Sequence, residues 1–453
     1  MSRRQTPGKG KAGRRLRVGL VSLGCPKNLV DSEVMLGHLR RDGCEIVADA
    51  SRADVLLVNT CAFIGDAKRE SIETTLEMAR QKRQGRAQRL VVTGCMVQRY
   101  REELQREIPE IDALAGPDEV PRIVDAVRGR QAPLRAAPLP IWIYDHRSPR
   151  VLATPPYMAY AKIAEGCDYA CSFCAIPALR GRYRSRTTDD VVAEARLLAE
   201  RGVKELILIA QDTSRYGRDR GLEDELARLL RRLGRVDGLH WIRVMYAHPT
   251  TLSDAVLDAI ADESKVVKYV DVPLQHGSSA VLRRMKRPSA RRHVAGLVER
   301  VRRRVPGVAL RTTVIVGFPG ETAAEFEELL AFVREARFDH LGAFAYSREE
   351  GTPAFELAGR VPPSTAQSRL RRVMELQRSV SLGLSQARVG TRLETLVEAV
   401  VREGDVRLRG RSATQAPEID GGVLITEGSA RPGDFVTCEV TGALDYDLLA
   451  RVV

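Results

Sequence analysis

The sequence predicts an α/β protein in three parts: an N-terminal parallel α/β sheet domain, a central open partial barrel of six β/α units, and a small C-terminal β-barrel of five strands. Three observations predict it. Short apolar runs alternate with longer amphipathic segments from Arg17 to about residue 107, and the alternation resumes over six further runs between Tyr160 and Tyr346; this is the pattern of helices packed on a parallel sheet. Residues 389–453 instead carry five short strands separated by turns, which suits a small closed barrel. A length of 453 residues accommodates about three domains of ordinary size. The expected divisions are 1–16, 17–130, 131–158, 159–361, 362–388 and 389–453.

Composition sets limits on function. A hydrophobic content of 44% supports several cores. No apolar run reaches the roughly 18 residues of a membrane span, and the basic N-terminus lacks the apolar segment of a secretory signal. A cytoplasmic protein with no membrane partner is expected. The net charge of +13 favours a polyanionic neighbour such as RNA or a ribonucleoprotein. Residues 1–17 hold seven Arg or Lys and no acid, so 1–16 is expected to be a disordered basic tail, a candidate contact for RNA. A second basic run, Arg283 to Arg304, reads equally as a solvated helix face.

In the first domain, three strands lead into Cys25, Cys61 and Cys95: Val18 to Cys25, Asp54 to Cys61 and Arg89 to Cys95. Helices follow at Asn28–Arg41, Asp66–Gln84 and from Cys95 to about Glu107. The carboxyl ends of parallel strands share one edge, where ligands bind. Three thiols there can meet as a metal site, against the alternative of ordinary buried cysteines. Cys44 begins a strand and Cys438 lies within one, so both are expected to pack.

After the Pro- and Ala-rich connector Gln131–Pro140 come strands at Tyr160–Ala164, Glu205–Ala210, Trp241–Tyr246, Tyr269–Pro273, Leu310–Val316 and Leu341–Tyr346. Helices are expected near Thr188–Arg201, Leu222–Leu233, Ser253–Ala261, Ala290–Arg304 and Thr322–Ala336. Just past the first strand lies Gly166-Cys-Asp-Tyr-Ala-Cys-Ser-Phe-Cys174. Cys167, Cys171 and Cys174, at offsets of four and three, can aim three sulfurs at one point. That suits zinc or an iron–sulfur cluster. No His follows within sixty residues and no Cys before Cys438, so zinc lacks a local fourth ligand. A cluster with one open iron fits better; a disulfide or zinc knuckle is the alternative. The other strand ends carry Gln211-Asp212, His248, Gln275-His276, Gly317 to Thr322, and Ser347, and should face the same cavity.

Residues 362–388 read as a helical linker. The last strands are expected at Glu394–Val401, Asp405–Gly410, Gly422–Glu427, Phe435–Val440 and Leu448–Val453. From Arg388 to Val453 there are eight Arg or Lys against eleven Asp or Glu. An acidic module suits a basic protein partner better than phosphates.

The Cys167/Cys171/Cys174 spacing, with an aromatic before the last Cys, resembles the radical S-adenosylmethionine (SAM) signature. The strings Ser22 to Glu33, Asn59 to Ile64 and Thr93 to Tyr100 resemble the N-terminal domain of the radical SAM methylthiotransferases, and residues 389–453 resemble a TRAM domain. The resemblance implies two [4Fe–4S] clusters. Cys25, Cys61 and Cys95 would hold the one that carries the sulfur to be transferred, and Cys167, Cys171 and Cys174 the one that splits SAM into a 5′-deoxyadenosyl radical. Both would open toward one cavity. Phe173, Gln211, Asp212, Gly317 and Gly320 are candidates for holding the cofactor. Gln275, His276, Glu418 and Asp420 are candidates for holding the substrate. Ile209 to Thr213, Tyr269 to His276, Ile315 to Glu321 and Ala416 to Gly421 resemble the branch that modifies an aspartate β-carbon of small-subunit ribosomal protein twelve. That branch implies two uses of SAM and an external electron donor such as a flavodoxin or ferredoxin. The rivals are a tRNA adenosine methylthiotransferase and a non-catalytic iron–sulfur or RNA-binding protein.

Overall fold

The computed structural model of the chain describes residues 15–130, 139–287 and 291–453, the side chains of 291–293 excepted. The expected basic tail falls outside the described residues except for Arg15 and Leu16, as does connector segment 131–138. The chain forms two compact units: one contains the N-terminal sheet, the other the central strands and the C-terminal barrel.

The N-terminal sheet has five parallel strands, in the spatial order Glu45–Val47, Arg17–Ser22, Val55–Thr60, Arg89–Gly94 and Ala113–Ala115. Val55–Thr60 is buried throughout, as a central parallel strand covered on both faces must be. Helix Pro26–Arg41 begins with proline at its first position, where the missing N–H costs nothing. Its Glu33 receives Arg150 Nε at 2.8 Å in a buried pair. The same helix carries Gly37, where a Cβ would stand 2.1 Å from Pro149 O and 2.6 Å from Arg150 N. Those are backbone atoms that cannot swing aside. Gly37→Ala should therefore destabilise this unit by about 1–3 kcal/mol, despite alanine's better helix propensity; a thermal melt as high as the parent's would contradict it.

The central strands Met158–Lys162, Glu205–Ile209, Trp241–Val244, Tyr269–Asp271, Ala309–Val316 and His340–Ala345 are parallel in two sets of three, 3-2-1 and 4-5-6. An isolated bridge, Ile242 to Val266, lies between the sets. The result is the expected open six-unit barrel. Its helices present apolar stripes to one core: in Glu225–Gly234, Leu226, Leu229, Leu230 and Leu233 are buried at helical spacing. Helix Pro363–Gln386 follows. Strands Arg392–Glu403, Val406–Ser412, Val423–Glu427, Leu448–Val452 and Phe435–Ala443 then close a barrel in that spatial order. Cys438 is inside it at 0% exposure, and Cys44 is also buried.

The small barrel sits at the amino-terminal ends of the central strands. Glu205, the first residue of its strand, accepts Arg243 Nε at 2.9 Å and Arg411 Nη2 at 2.5 Å. Tyr269 OH donates to Asp420 Oδ2 at 2.6 Å, His340 Nε2 lies 2.8 Å from Thr414 O, and Trp241 Nε1 donates to Glu394 at 3.1 Å. The C-terminal module thus plugs the end of the central barrel opposite the three-cysteine loop.

Candidate active site

Strand register brings the first trio of cysteines to one edge. Ser22 aligns with Asn59, and Thr60 with Gly94. Cys25 then caps helix Pro26–Arg41, Cys61 follows its strand directly, and Cys95 opens helix Cys95–Glu107. Gly24 has φ +87°, and a Cβ there would lie 2.7 Å from Cys61 Cβ and 3.0 Å from its sulfur. Glycine is what lets the Cys25 turn close over Cys61. Beneath, Asn59 Nδ2 donates to Asn28 O at 2.9 Å and Ser32 Oγ at 2.8 Å, and Ser71 Oγ bonds both Cys61 N and Cys61 O. Cys25 is exposed, Cys61 and Cys95 buried.

The second trio lies on the loop after the first central strand. Cys167 N bonds Gly181 O, and Cys174 N bonds Cys171 O. Asp168 accepts Tyr183 N at 3.0 Å and pairs with Arg215 at 2.9 Å. Ser172 Oγ donates to Arg284 O at 2.8 Å. Burial, with the neighbouring Cys171 sulfur adding to it, pushes the Cys167 thiol up to about 11 and the Cys174 thiol up to about 12. Among the described residues, no three or more His, Cys, Asp or Glu side chains form a group that could hold a single metal ion; a cubane offers each thiolate its own iron. Three soft sulfurs that repel one another as thiolates are a donor set matched to a cationic iron core.

The remaining candidates divide by position. Tyr169 stacks on His248 with centroids 4.1 Å apart, and its hydroxyl donates to Asp212 Oδ2 at 2.9 Å. Asp212 also accepts Ser214 Oγ, Thr251 Oγ1 and Arg215 N. Its carboxylate is taken up inside the protein and fixes the loop, where the sequence suggests a cofactor contact. Gln211 donates to Glu165 at 2.7 Å, leaving its own Oε1 buried and unpartnered. Burial alone would raise Glu165, but Lys162 and Arg180 hold its carboxyl down to about 2. His276 is fully buried: Nδ1 accepts Ser278 N at 2.9 Å, and Nε2 has no hydrogen-bond partner, 3.9 Å from Glu321. Burial lowers His276 to about 3, and burial with Arg287 and Arg215 lowers His248 to about 2, so both rings are neutral at pH 7. His248 Nε2 is likewise unpartnered. Gln275 sits at φ +75° between the fourth and fifth strands.

Phe173 is half-buried against the cluster of Val281, Met285, Phe318 and Ala354, which Tyr346 also joins. Gly317 and Gly320 have φ of +73° and +75°. What approaches them is the chain itself: a Cβ at Gly317 would meet Ala366 Cβ at 2.6 Å, and Gly320 N bonds Gly359 O at 2.7 Å. The small size of Gly317 serves packing, in place of the nucleotide approach expected from sequence, whereas a Cβ at Gly320 would meet nothing nearer than Arg284 Nε at 3.5 Å. Asp420 is corrected outright. Its side chain is 1% exposed, held by Tyr269, Ala416 N and Arg311 at the opposite barrel end, so its carboxylate is not presented to a substrate. Glu418 is exposed in the same turn at φ +68°. Sequence reasoning misses Tyr169, Glu165, Arg215 and Arg287. Tyr169 lies inside the three-cysteine string, and Arg287 inside the basic run.

Residues 17–116 match Uncharacterized protein family UPF0004, residues 162–333 the Radical SAM superfamily, and residues 389–453 the TRAM domain. Among solved structures, the radical S-adenosylmethionine methyltransferase TsrM from Kitasatospora setae, with cobalamin and a [4Fe-4S] cluster bound, shares the fold at TM-score 0.57 and 17% identity, over 75% of this chain and 77% of that one. The protein named ribosomal protein uS12 methylthiotransferase RimO from Anaeromyxobacter sp. (strain K) is 51% identical over 437 residues, 96% of this chain and 93% of its own. Its namesake from Symbiobacterium thermophilum is 50% identical over 98% of this chain and 93% of its own. With identity of this level across nearly its whole length, the chain belongs to the ribosomal protein uS12 methylthiotransferase family.

Proposed function

We propose that the chain is a radical SAM methylthiotransferase that replaces a C–H bond on the β-carbon of an aspartate in ribosomal protein uS12 with C–SCH₃. The observation that carries this reading is 51% identity to a uS12 methylthiotransferase across 96% of the chain. Cys167, Cys171 and Cys174 would hold one [4Fe–4S] cluster and Cys25, Cys61 and Cys95 another. When bound, the first supplies the electron that splits SAM, and the second presents sulfur.

The chain's own residues prepare the site. Tyr169, pinned between His248 and Asp212, fixes the middle of the cysteine loop. Neutral His248 and His276 keep unpartnered Nε2 atoms, and Gln211 an unpartnered Oε1, as polar contacts for SAM or substrate. Phe173, with Phe318, supplies an apolar wall that excludes water. The acidic C-terminal module complements a basic ribosomal protein. An electron donor of the flavodoxin or ferredoxin type completes the set of partners, and residues 1–16 add a basic segment for ribosomal RNA. The working place is then the cytoplasm. No helix among the described residues is long and apolar enough to cross a membrane.

The test is incubation of anaerobically reconstituted protein with SAM, sulfide and a reductant, offering purified uS12 in one vessel and tRNA in another. Mass spectrometry should find the methylthio group on an aspartate of uS12. Methylthio product on tRNA alone would overturn the substrate assignment.

A further inference from the structure

Part of the basic run Arg283–Arg304 leaves the surface, while Arg283, Lys286, Arg302 and Arg303 stay exposed. Arg284 donates to both oxygens of Glu325 and to Gly320 O. Arg304 pairs with Asp254 and Asp258. Among the described residues of the run Arg287 goes deepest and is 7% exposed. Its Nη2 donates to Pro273 O at 2.5 Å, and its Nη1 lies 3.8 Å from Cys171 Sγ, the length of an N–H···S hydrogen bond. Its Nε is buried without a hydrogen-bond partner. Among the described residues no carboxylate pairs with it.

The turn that presents Arg287 is bound to the cysteine loop itself. Ser172 N donates to Met285 O at 3.0 Å, and Arg287 N to Leu282 O at 2.9 Å, while Lys286 between them takes φ +53°. A non-glycine residue in that region is strained, and the surroundings must hold it there. A guanidinium cannot shed its proton, and burying one without a counter-ion is costly. The anion that would offset this cost is a set of cysteine thiolates around an iron–sulfur core, which bears net negative charge.

We infer that Arg287 is the counter-charge of the cluster held by Cys167, Cys171 and Cys174, donating an N–H to the Cys171 sulfur and raising the cluster's reduction potential. This rests on the reading of that trio as a cluster site. A one-electron reduction adds negative charge beside the guanidinium, so the reduced form gains more from it than the oxidised form does. Arg287 is thus a positioning and tuning residue, with no contact to the transferred group required.

The experiment is a redox titration of the full-length reconstituted chain with titanium(III) citrate, following by electron paramagnetic resonance the reduced signal that changes when SAM is added. Parent, Arg287→Met and Arg287→Lys are compared, with iron counted in each. Arg287→Met should lower the ratio of reduced to oxidised cluster at a fixed potential at least tenfold, a downward shift of about 59 mV or more. Arg287→Lys should recover most of that shift. If Arg287→Met cannot hold iron, recovery of both iron and potential in Arg287→Lys still supports a charge role. Parent-like potential in Arg287→Met, or iron loss in both variants, overturns the inference. Absence of any SAM-sensitive signal in the parent would instead sink the cluster assignment beneath it.

Discussion

Cys25→Ala should remove about half the bound iron and abolish methylthio transfer while leaving SAM cleavage detectable. The expectation follows from where the two trios lie. Cys25 caps a helix at the edge of the N-terminal sheet and is exposed, so its loss disturbs little packing. The Asn28–Asn59–Ser32 web beneath it remains. Cys171, by contrast, lies on the loop tied to Met285 through Ser172 and to Arg287 through its own sulfur, and Cys171→Ala should abolish both activities. Iron is counted by colorimetric assay, SAM cleavage by 5′-deoxyadenosine on chromatography, and transfer by mass spectrometry of uS12. Equal loss of both activities in Cys25→Ala, with all iron gone, would refute two independent sites.

Much of the fold behind this expectation is legible in the residues alone, because the informative signals are local. Parallel strands such as Val55–Thr60 open on continuous apolar runs, here Val55 to Val58, and the cysteine that follows each shares an edge by topology alone. Helix ends are less legible. The segment expected to start at Leu222 starts at Glu225, after Asp224 in the left-handed region, a turn that no periodicity reveals. What fails depends on partners far along the chain. Asp420 reads as a free acid in a turn, but Tyr269 and Arg311, more than a hundred positions earlier, bury it. Gly317 reads as an opening for a nucleotide, but Ala366 occupies the space. Arg287 reads as part of a solvated basic face because composition carries no information on burial. The acidic C-terminal balance survives as an argument about partners, yet part of that acid is spent holding the barrel end.

That barrel end carries the second large effect. Glu205→Gln should cost about 3–5 kcal/mol, because it leaves Arg243 and Arg411 facing one another with their shared carboxylate gone. Arg243 and Glu205 have side chains at 0% exposure and Arg411 at 3%, so water cannot take over the charge. Arg411 keeps Glu398 as a second partner, which places the loss toward the lower end of that range. Burial alone would raise the Glu205 carboxyl, but Arg411 and Arg243 outweigh it and hold its pKa below the usual 4.5. A carboxyl depressed on folding contributes fully above its unfolded pKa and loses that contribution as pH falls through the folded one. The gap between parent and Glu205→Gln should therefore be constant near neutrality and narrow once the pH drops below about 4.5. Since a chain of several domains need not unfold in one step, the readout is hydrogen exchange at strands Glu205–Ile209 and Val406–Ser412, on metal-free protein. Both should lose protection together, because Glu205 and Arg411 join them. Protection within about 0.5 kcal/mol of the parent at both strands, or loss in one strand alone, would show that the ion network does not couple the small barrel to the central one. A cycle with Arg411→Met completes the argument: removing the arginine from Glu205→Gln should restore part of the lost protection, since it takes away the charge that the first substitution stranded.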